Sequence, residues 1–84
     1  MVTSPDKPLD KYAELAALFR AGIMGDAASY TLFLQKISTL LRRILGRRLP
    51  ASDLEDVVQE VLISVHKARH TYDGQRPLMP WLLA

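Results

Sequence analysis

Apolar residues recur at helical spacing along most of the chain and predict a series of helices. The first is expected from about Leu9 to Ala21, ended by Gly22 and Gly25, because glycine readily adopts the left-handed conformation that ends helices. The second is expected to begin after Asp26, a good N-cap, and to reach about Arg47. Its apolar residues form the stripe of a helix that packs one face on a core: Tyr30, Phe33, Leu34, Ile37, Leu40, Leu41, Ile44 and Leu45.

A third helix is expected from Ser52 or Asp53 to about His70, and Glu55 would complete a capping box if Ser52 is the cap. At about 100° per residue, its apolar residues fall on one side, which should face the core. These residues are Leu54, Val58, Val61, Leu62 and Val65. The opposite side carries acids flanked by a carboxamide and an aliphatic side chain: Asp53, Asp56, Glu60, Gln59 and Ile63.

The C-terminal part of the chain predicts a turn and a further helix. Residues 71–75 indicate the turn, and Pro77 to Ala84 indicate the opening of a fourth helix, which tolerates proline in its first turn. The apolar ending at Leu82, Leu83 and Ala84 predicts a domain truncated at its C-terminal end. Exposure of Leu82 and Leu83 would favour self-association of the fragment.

No sustained alternation of apolar and polar residues suggests a strand. We therefore predict an all-α, compact bundle of three main helices plus the start of a fourth, spanning residues 9–84. A flexible N-terminal tail at residues 1–8 is expected to precede it. A length of 84 residues with 49% hydrophobic residues fits one domain with one core.

Composition indicates where in the cell the protein is expected and which kinds of site it is expected to lack. The chain has no cysteine, no signal peptide and no apolar run of the roughly 20 residues that span a bilayer, so a cytoplasmic protein without membrane insertion is expected. His66 and His70, spaced i, i+4, are better explained as surface or partly packed residues than as metal ligands, because the acids lie on another face. No nucleophile–base motif or glycine-rich phosphate loop is present, so neither enzymatic activity nor a cofactor is expected.

Although the net charge is only +2, the sequence contains two blocks of charged residues of opposite sign. The basic block consists of Arg42, Arg43, Arg47 and Arg48. These arginines suit the C-terminal end of the second helix, and contact with nucleic-acid phosphates is the alternative. The acidic block, residues 53–60, is either an ordinary solvated face or an interface for a basic partner. Ile63, an apolar residue beside the acids, favours the interface.

The string DLEDVVQEVLISVHKARHTYD resembles the second conserved region of bacterial sigma factors, especially the extracytoplasmic-function (ECF) group. The family's pattern, D-x-E-D-x-x-Q-E with an apolar pair before Gln-Glu, is matched by the residues from Asp53 to Leu62. The family's turn of an aromatic residue followed by Asp is matched by Tyr72 and Asp73. Residues 76–84, with Trp81, are similar to the segment that leads into the promoter-melting region. Gly25-Asp26 with Tyr30 and Phe33 resembles the start of the first conserved region.

The resemblance implies a transcription initiation factor that docks on core RNA polymerase through the clamp helices of the β′ subunit. Asp56, Gln59 and Glu60 would be the main contacts, with Asp53 and Ile63 beside them. An anti-sigma factor is a further expected partner. His66 departs from the family's pattern, since many relatives have a large aromatic residue there.

In a full-length protein the resemblance also implies recognition and melting of the promoter −10 element, with Arg76 and Trp81 as candidate DNA contacts. Packing in the core against the second helix is the alternative interpretation of Trp81, because Leu78, Leu82 and Leu83 surround it. The resemblance implies that most of the residues that would read the promoter lie past the end of this chain.

Two other functions are compatible with the same helices. One is a regulatory or scaffold module that sequesters a protein partner without binding polymerase. The other is an independent DNA-binding domain, which would bind duplex DNA with a steep dependence on salt.

Overall fold

The computed structural model describes residues 12–83 and consists of three main helices and a short fourth. Helix α1 is Ala13–Ile23, α2 is Ala27–Leu45, α3 is Ala51–Ala68 and α4 is Leu78–Leu82, with a 3₁₀ turn at Arg69–Thr71. The predicted all-α bundle is confirmed, and residues 12–83 contain no strand. The predicted tail at residues 1–8 and the predicted helix start at Leu9 lie outside the described residues.

The turn between α1 and α2 depends on two glycines with different roles. Gly25 has φ of +112°, a left-handed conformation that glycine adopts without strain. Gly22 does not end α1 as predicted but lies within its last turn, which continues to Ile23. A Cβ at Gly22 would come within 2.7 Å of Tyr30 Cβ, so the missing side chain lets α2 approach α1 closely.

Asp26 begins α2 as the sequence predicted. Its side chain accepts a hydrogen bond from Ser29 N at 3.2 Å and another from Ser29 Oγ at 2.8 Å. One of the free N–H groups at the helix start is thereby satisfied. At its other end α2 stops at Leu45, two residues earlier than predicted, and a tight turn at residues 46–48 follows.

The start of α3 differs from the prediction. Pro50 is the N-cap residue, with φ −60° and ψ 152°, and neither Ser52 nor Asp53 caps the helix. The backbone N–H groups of Asp53 and Leu54 both donate to the Pro50 carbonyl, at 3.0 Å. The predicted capping box is wrong because Ser52 lies inside the first turn of α3. Glu55 instead binds Arg42 on α2.

The core is centred on Phe19 of α1, which is completely buried. Its ring centroid lies 4.5 Å from that of Phe33, 6.3 Å from Tyr30, 5.4 Å from Tyr72 and 5.5 Å from Trp81. One side chain of α1 therefore contacts rings from α2, from α4 and from the segment that follows α3. Ile37, Leu41 and Val58 extend the fully buried core along α2 and α3.

Helix α4 begins after Pro77 and carries Pro80 in its first turn, as the sequence predicted. Leu78 and Leu82 are buried against the core, whereas Leu83 is 53% exposed. The expectation that Leu82 would be exposed is thus wrong, because α4 turns that residue inward. No helix within residues 12–83 is both long and apolar enough to cross a membrane.

Replacing Phe19 with alanine should destabilise the protein by about 3–5 kcal/mol, because it removes the ring on which the other aromatic rings pack. That is comparable to the whole stability of a small domain, so Phe19→Leu, which keeps most of the volume, should be the milder variant. Met24→Ala is the control, since Met24 is 85% exposed, and it should change stability by less than about 0.5 kcal/mol. Urea melts followed by circular dichroism measure all three, and equal losses for Phe19→Ala and Met24→Ala would contradict the packing argument.

Asp26→Ala should lower stability at neutral pH, because the helix loses its capping acceptor. Hydrogen bonds from the Ser29 hydroxyl and N–H lower the pKa of Asp26 below its ordinary 3.8. The contribution of the ionised cap is therefore present above the unfolded pKa and is lost as pH falls through the folded pKa. Asp26→Asn keeps an acceptor and should retain most of the stability while losing this acid sensitivity. Urea melts from about pH 2 to pH 7 test the difference, and an Asp26→Asn profile parallel to wild type would refute it.

Candidate functional site

The two sides of α3 are segregated as the sequence predicted. Val58 is completely buried, Val65 is 4% exposed, and Leu54, Val61 and Leu62 are partly buried against the core. The opposite side consists of the exposed residues Asp53, Asp56, Gln59, Glu60 and Ile63, hereafter the acidic face. The predicted site residues thus lie together on one rigid element.

The carboxylates of the acidic face have no ion-pair partner among residues 12–83. Asp53, Asp56 and Glu60 are spaced i, i+3 and i+7, so their charges repel one another along the helix. Asp53 lies in the first turn, where the helix dipole favours an acid, and Glu60 lies too far along α3 for that benefit. The uncompensated charge makes this surface favourable for a basic partner.

Glu55, within the same acidic block, forms an ion pair with a residue of α2. Its Oε2 lies 2.7 Å from Arg42 Nε and its Oε1 lies 3.0 Å from Arg42 Nη2, a two-bond ion pair between α2 and α3. The hydrogen bond from Arg42 lowers the pKa of Glu55, and the pKa of Arg42 is raised in turn. Sequence analysis missed the pair. The available signal was that Glu55 falls about 100° from Asp56 and nearer the core side of the helix.

A groove lies along the other flank of α3, where α4 approaches it. Its walls are mostly apolar, and its volume is about 370 Å³. The lining residues are Val57, Glu60, Val61, Ser64, Val65, Ala68, Trp81, Leu82 and Leu83. Glu60 therefore belongs both to the acidic face and to the rim of this groove. The groove could not be found from periodicity, because it depends on where α4 packs.

Trp81 is partly buried, and its position supports the core interpretation. Its ring centroid lies 5.3 Å from that of Tyr72, and its indole Nε1 donates to Thr71 Oγ1 at 3.2 Å. The rings that it contacts belong to α1 and to the segment after α3, whereas the sequence indicated α2 as its packing partner. One edge of Trp81 lines the groove beside α3.

Arg76 lies in the turn before α4 and points to solvent. Its side chain is 79% exposed, with Nε 3.6 Å from Asp73 Oδ2. Its carbonyl accepts a hydrogen bond from the Tyr72 hydroxyl at 2.7 Å, which fixes the backbone of this turn. Arg76 does not line the groove, so the two candidate DNA contacts, Arg76 and Trp81, have different surroundings.

His66 takes part in a contact between α2 and α3. Its Nδ1 lies 2.8 Å from the Tyr30 hydroxyl, and the two rings are 5.8 Å apart. Burial raises the pKa of Tyr30, and the charge of Arg69 partly opposes that shift. Across residues 12–83, no group of three or more metal-ligating side chains is close enough to hold a metal ion.

Comparison with known proteins agrees with these features. Residues 30–84 match the family described as Sigma-70 region 2. The chain is also 36% identical over 74 residues to the ECF RNA polymerase sigma factor SigF of Caulobacter vibrioides, a match that covers 86% of this chain and 41% of that relative. The chain thus spans less than half the length of that relative, and no solved structure matches it. The helical architecture, the D-x-E-D-x-x-Q-E motif on α3 and the family match together show that the chain belongs to the Sigma-70 region 2 family.

Proposed function

We propose that the chain acts in transcription initiation as region 2 of an ECF sigma factor, and that its acidic face binds the clamp helices of the RNA polymerase β′ subunit. The observation that carries the proposal is the set of exposed carboxylates on α3 that pair with no cation of the chain's described part. A role in binding rather than catalysis, exercised in the cytoplasm with polymerase, follows from the same proposal.

The acidic face has the properties of a preformed docking surface. Val58 and Val65 anchor α3 on the core, so little ordering is required when a partner binds. Ile63 is 52% exposed beside the acids and can provide an apolar contact within a polar interface. Gln59 offers both a donor and acceptors to the same partner. A basic helical surface is the partner chemistry that fits this combination.

An anti-sigma factor is the second partner that we propose. A protein that covers the acidic face would prevent docking on polymerase by competition for the same carboxylates. The family match disfavours the alternative of a scaffold module that never binds polymerase, because the matched region includes the whole of α3.

Asp56→Asn/Glu60→Gln should weaken binding to the isolated β′ clamp helices by at least about tenfold, equivalent to about 1.4 kcal/mol, because two interfacial charges are lost without a change in shape. Glu55→Gln is a control from the same helix. It removes a carboxylate from the same helix, yet that carboxylate faces Arg42 and should not touch the partner. Fluorescence anisotropy with a labelled clamp peptide measures the three affinities.

The outcome of this comparison is decisive for the docking assignment. If Glu55→Gln weakens binding as much as the double substitution, net charge rather than the acidic face controls the affinity. Wild-type affinity in Asp56→Asn/Glu60→Gln would likewise refute the assignment. Binding by wild type should also decline as salt rises, since the attraction between exposed charges is screened.

We further propose that Arg76 and the exposed edge of Trp81 contact the promoter strand when the factor is bound to polymerase. Arg76→Gln should weaken binding of the polymerase complex to a promoter fragment with an unpaired −10 strand. The slope of log affinity against log salt concentration should fall by about 0.7, because one contact to a single-stranded phosphate is lost. Lys36→Gln, at an exposed position on α2, is the charge-matched control, and affinity for the clamp helices should be unchanged in both variants. Equal effects of Arg76→Gln and Lys36→Gln on DNA binding would contradict the contact.

A further inference from the structure

The indole ring of Trp81 packs against two other aromatic rings. Its centroid lies 5.5 Å from that of Phe19 and 5.3 Å from that of Tyr72, with interplanar angles of 39° and 51°. These contacts limit where the indole plane can lie, but the second torsion of a tryptophan side chain is broad and roughly two-fold. Packing alone therefore does not determine which edge of the indole faces outward.

A directional hydrogen bond supplies the missing constraint. The indole Nε1 of Trp81 donates to Thr71 Oγ1 at 3.2 Å. An indole N–H can only donate, and a hydrogen bond weakens steeply as it departs from a straight geometry. The bond therefore favours the one ring orientation in which the nitrogen edge of the indole faces Thr71 and the opposite edge is turned away.

The hydroxyl of Thr71 is prepared to accept this bond because its own proton is already in use. Thr71 Oγ1 donates to the Ala68 carbonyl at 2.7 Å. A hydroxyl has one proton and two acceptor positions, so with its proton on Ala68 it meets Trp81 as an acceptor. Ala68 is the last residue of α3, where carbonyls lack a partner within the helix. Two hydrogen bonds in series thus join the indole of α4 to the end of α3.

We propose that Thr71 is a positioning residue for promoter binding: it fixes the orientation of the Trp81 indole and so determines which edge of the ring meets the unpaired strand. The inference rests on the promoter contact proposed above for Trp81. A base stacks on an aromatic ring only where that ring is accessible to it, so rotation of the indole would alter the contact without the loss of any charge. Thr71 acts through Trp81 and need not touch DNA itself.

The first measurement is independent of DNA. Trp81 is the only tryptophan, so the chain gives a single indole N–H resonance in a proton–nitrogen NMR spectrum. Thr71→Val keeps the shape of the side chain without the hydroxyl. Exchange of the indole proton with solvent should become about two- to tenfold faster, the factor that one hydrogen bond of ordinary net strength provides. Thr71→Ser restores the acceptor and should exchange as wild type does, whereas an unchanged rate in Thr71→Val would overturn the proposal.

Thr39→Val is the matched control. Thr39 is also exposed, and its Oγ1 donates to the Gln35 carbonyl at 3.2 Å within α2, so the same substitution removes the same type of bond elsewhere. It should leave the indole exchange rate and promoter binding at their wild-type values. Equal effects of Thr71→Val and Thr39→Val would overturn a specific role for Thr71.

The second measurement uses the polymerase complex and a promoter fragment with an unpaired −10 strand. Thr71→Val should weaken binding by about two- to tenfold, because the indole loses its preferred orientation. The slope of log affinity against log salt concentration should not change, since no charged group is lost. Thr71→Ser should bind promoter as wild type does, and both variants should keep wild-type affinity for the β′ clamp helices.

A double-mutant cycle tests whether Thr71 acts through the indole N–H. Trp81→Phe keeps an aromatic ring but has no N–H to donate, so Thr71→Val should have no further effect on promoter binding in that background. An equal loss in the two backgrounds would mean that the effect of Thr71 is not transmitted through Trp81, and it would overturn the proposal.

Trp81→Leu separates failure of this inference from failure of the promoter contact. Wild-type promoter affinity in Trp81→Leu would overturn the contact itself and the positioning role with it. Reduced affinity in Trp81→Leu together with wild-type affinity in Thr71→Val would overturn the role of Thr71 alone. Affinity of Trp81→Leu for the clamp helices should remain that of wild type, which verifies its fold.

Discussion

The stacking of Phe19 on Phe33, at 4.5 Å between ring centroids, is the contact on which the rest of the structure depends. It joins α1 to α2, and the same Phe19 ring receives Tyr72 and Trp81 from the far end of the chain. Without it, α4 would have no aromatic surface of α1 to pack on, and the groove between α3 and α4 would lose one wall. Gly22 serves the same contact from nearby, since it admits Tyr30 against α1.

Helix α3 is attached to α2 at both of its ends. Glu55 binds Arg42 near the start, and His66 meets Tyr30 near the end. These two contacts are eleven residues apart on α3, about 16 Å along its axis, with buried Val58 and Val65 between them. They fix the rotation of α3, so the acidic face is held toward solvent. The docking surface is therefore positioned by residues that do not belong to it.

The spacing of apolar and polar residues was sufficient to predict the features that depend on a single helix. The stripe from Tyr30 to Leu45, the Asp26 cap and the segregation of Val58 from Asp56 follow from spacing and local hydrogen bonding. What escaped prediction depends on a second helix. The ion pair between Glu55 and Arg42 joins α3 to α2, and the close approach of Tyr30 to Gly22 joins α2 to α1. The groove beside Trp81 needs the packing of α4, which no single-helix pattern encodes.

The distribution of charge around α2 explains how one small domain can present surfaces of opposite sign. Only Arg42 crosses to the α3 side, and there it is neutralised by Glu55. The remaining arginines, Arg43, Arg47 and Arg48, lie toward α1, so the body of α2 separates them from Asp56 and Glu60. The acidic face points away from α2 as well, so none of the four arginines is placed to neutralise Asp56 or Glu60. Both surfaces are thus preserved: the first arginine closes the helix interface, and the others keep their charge available on the opposite side.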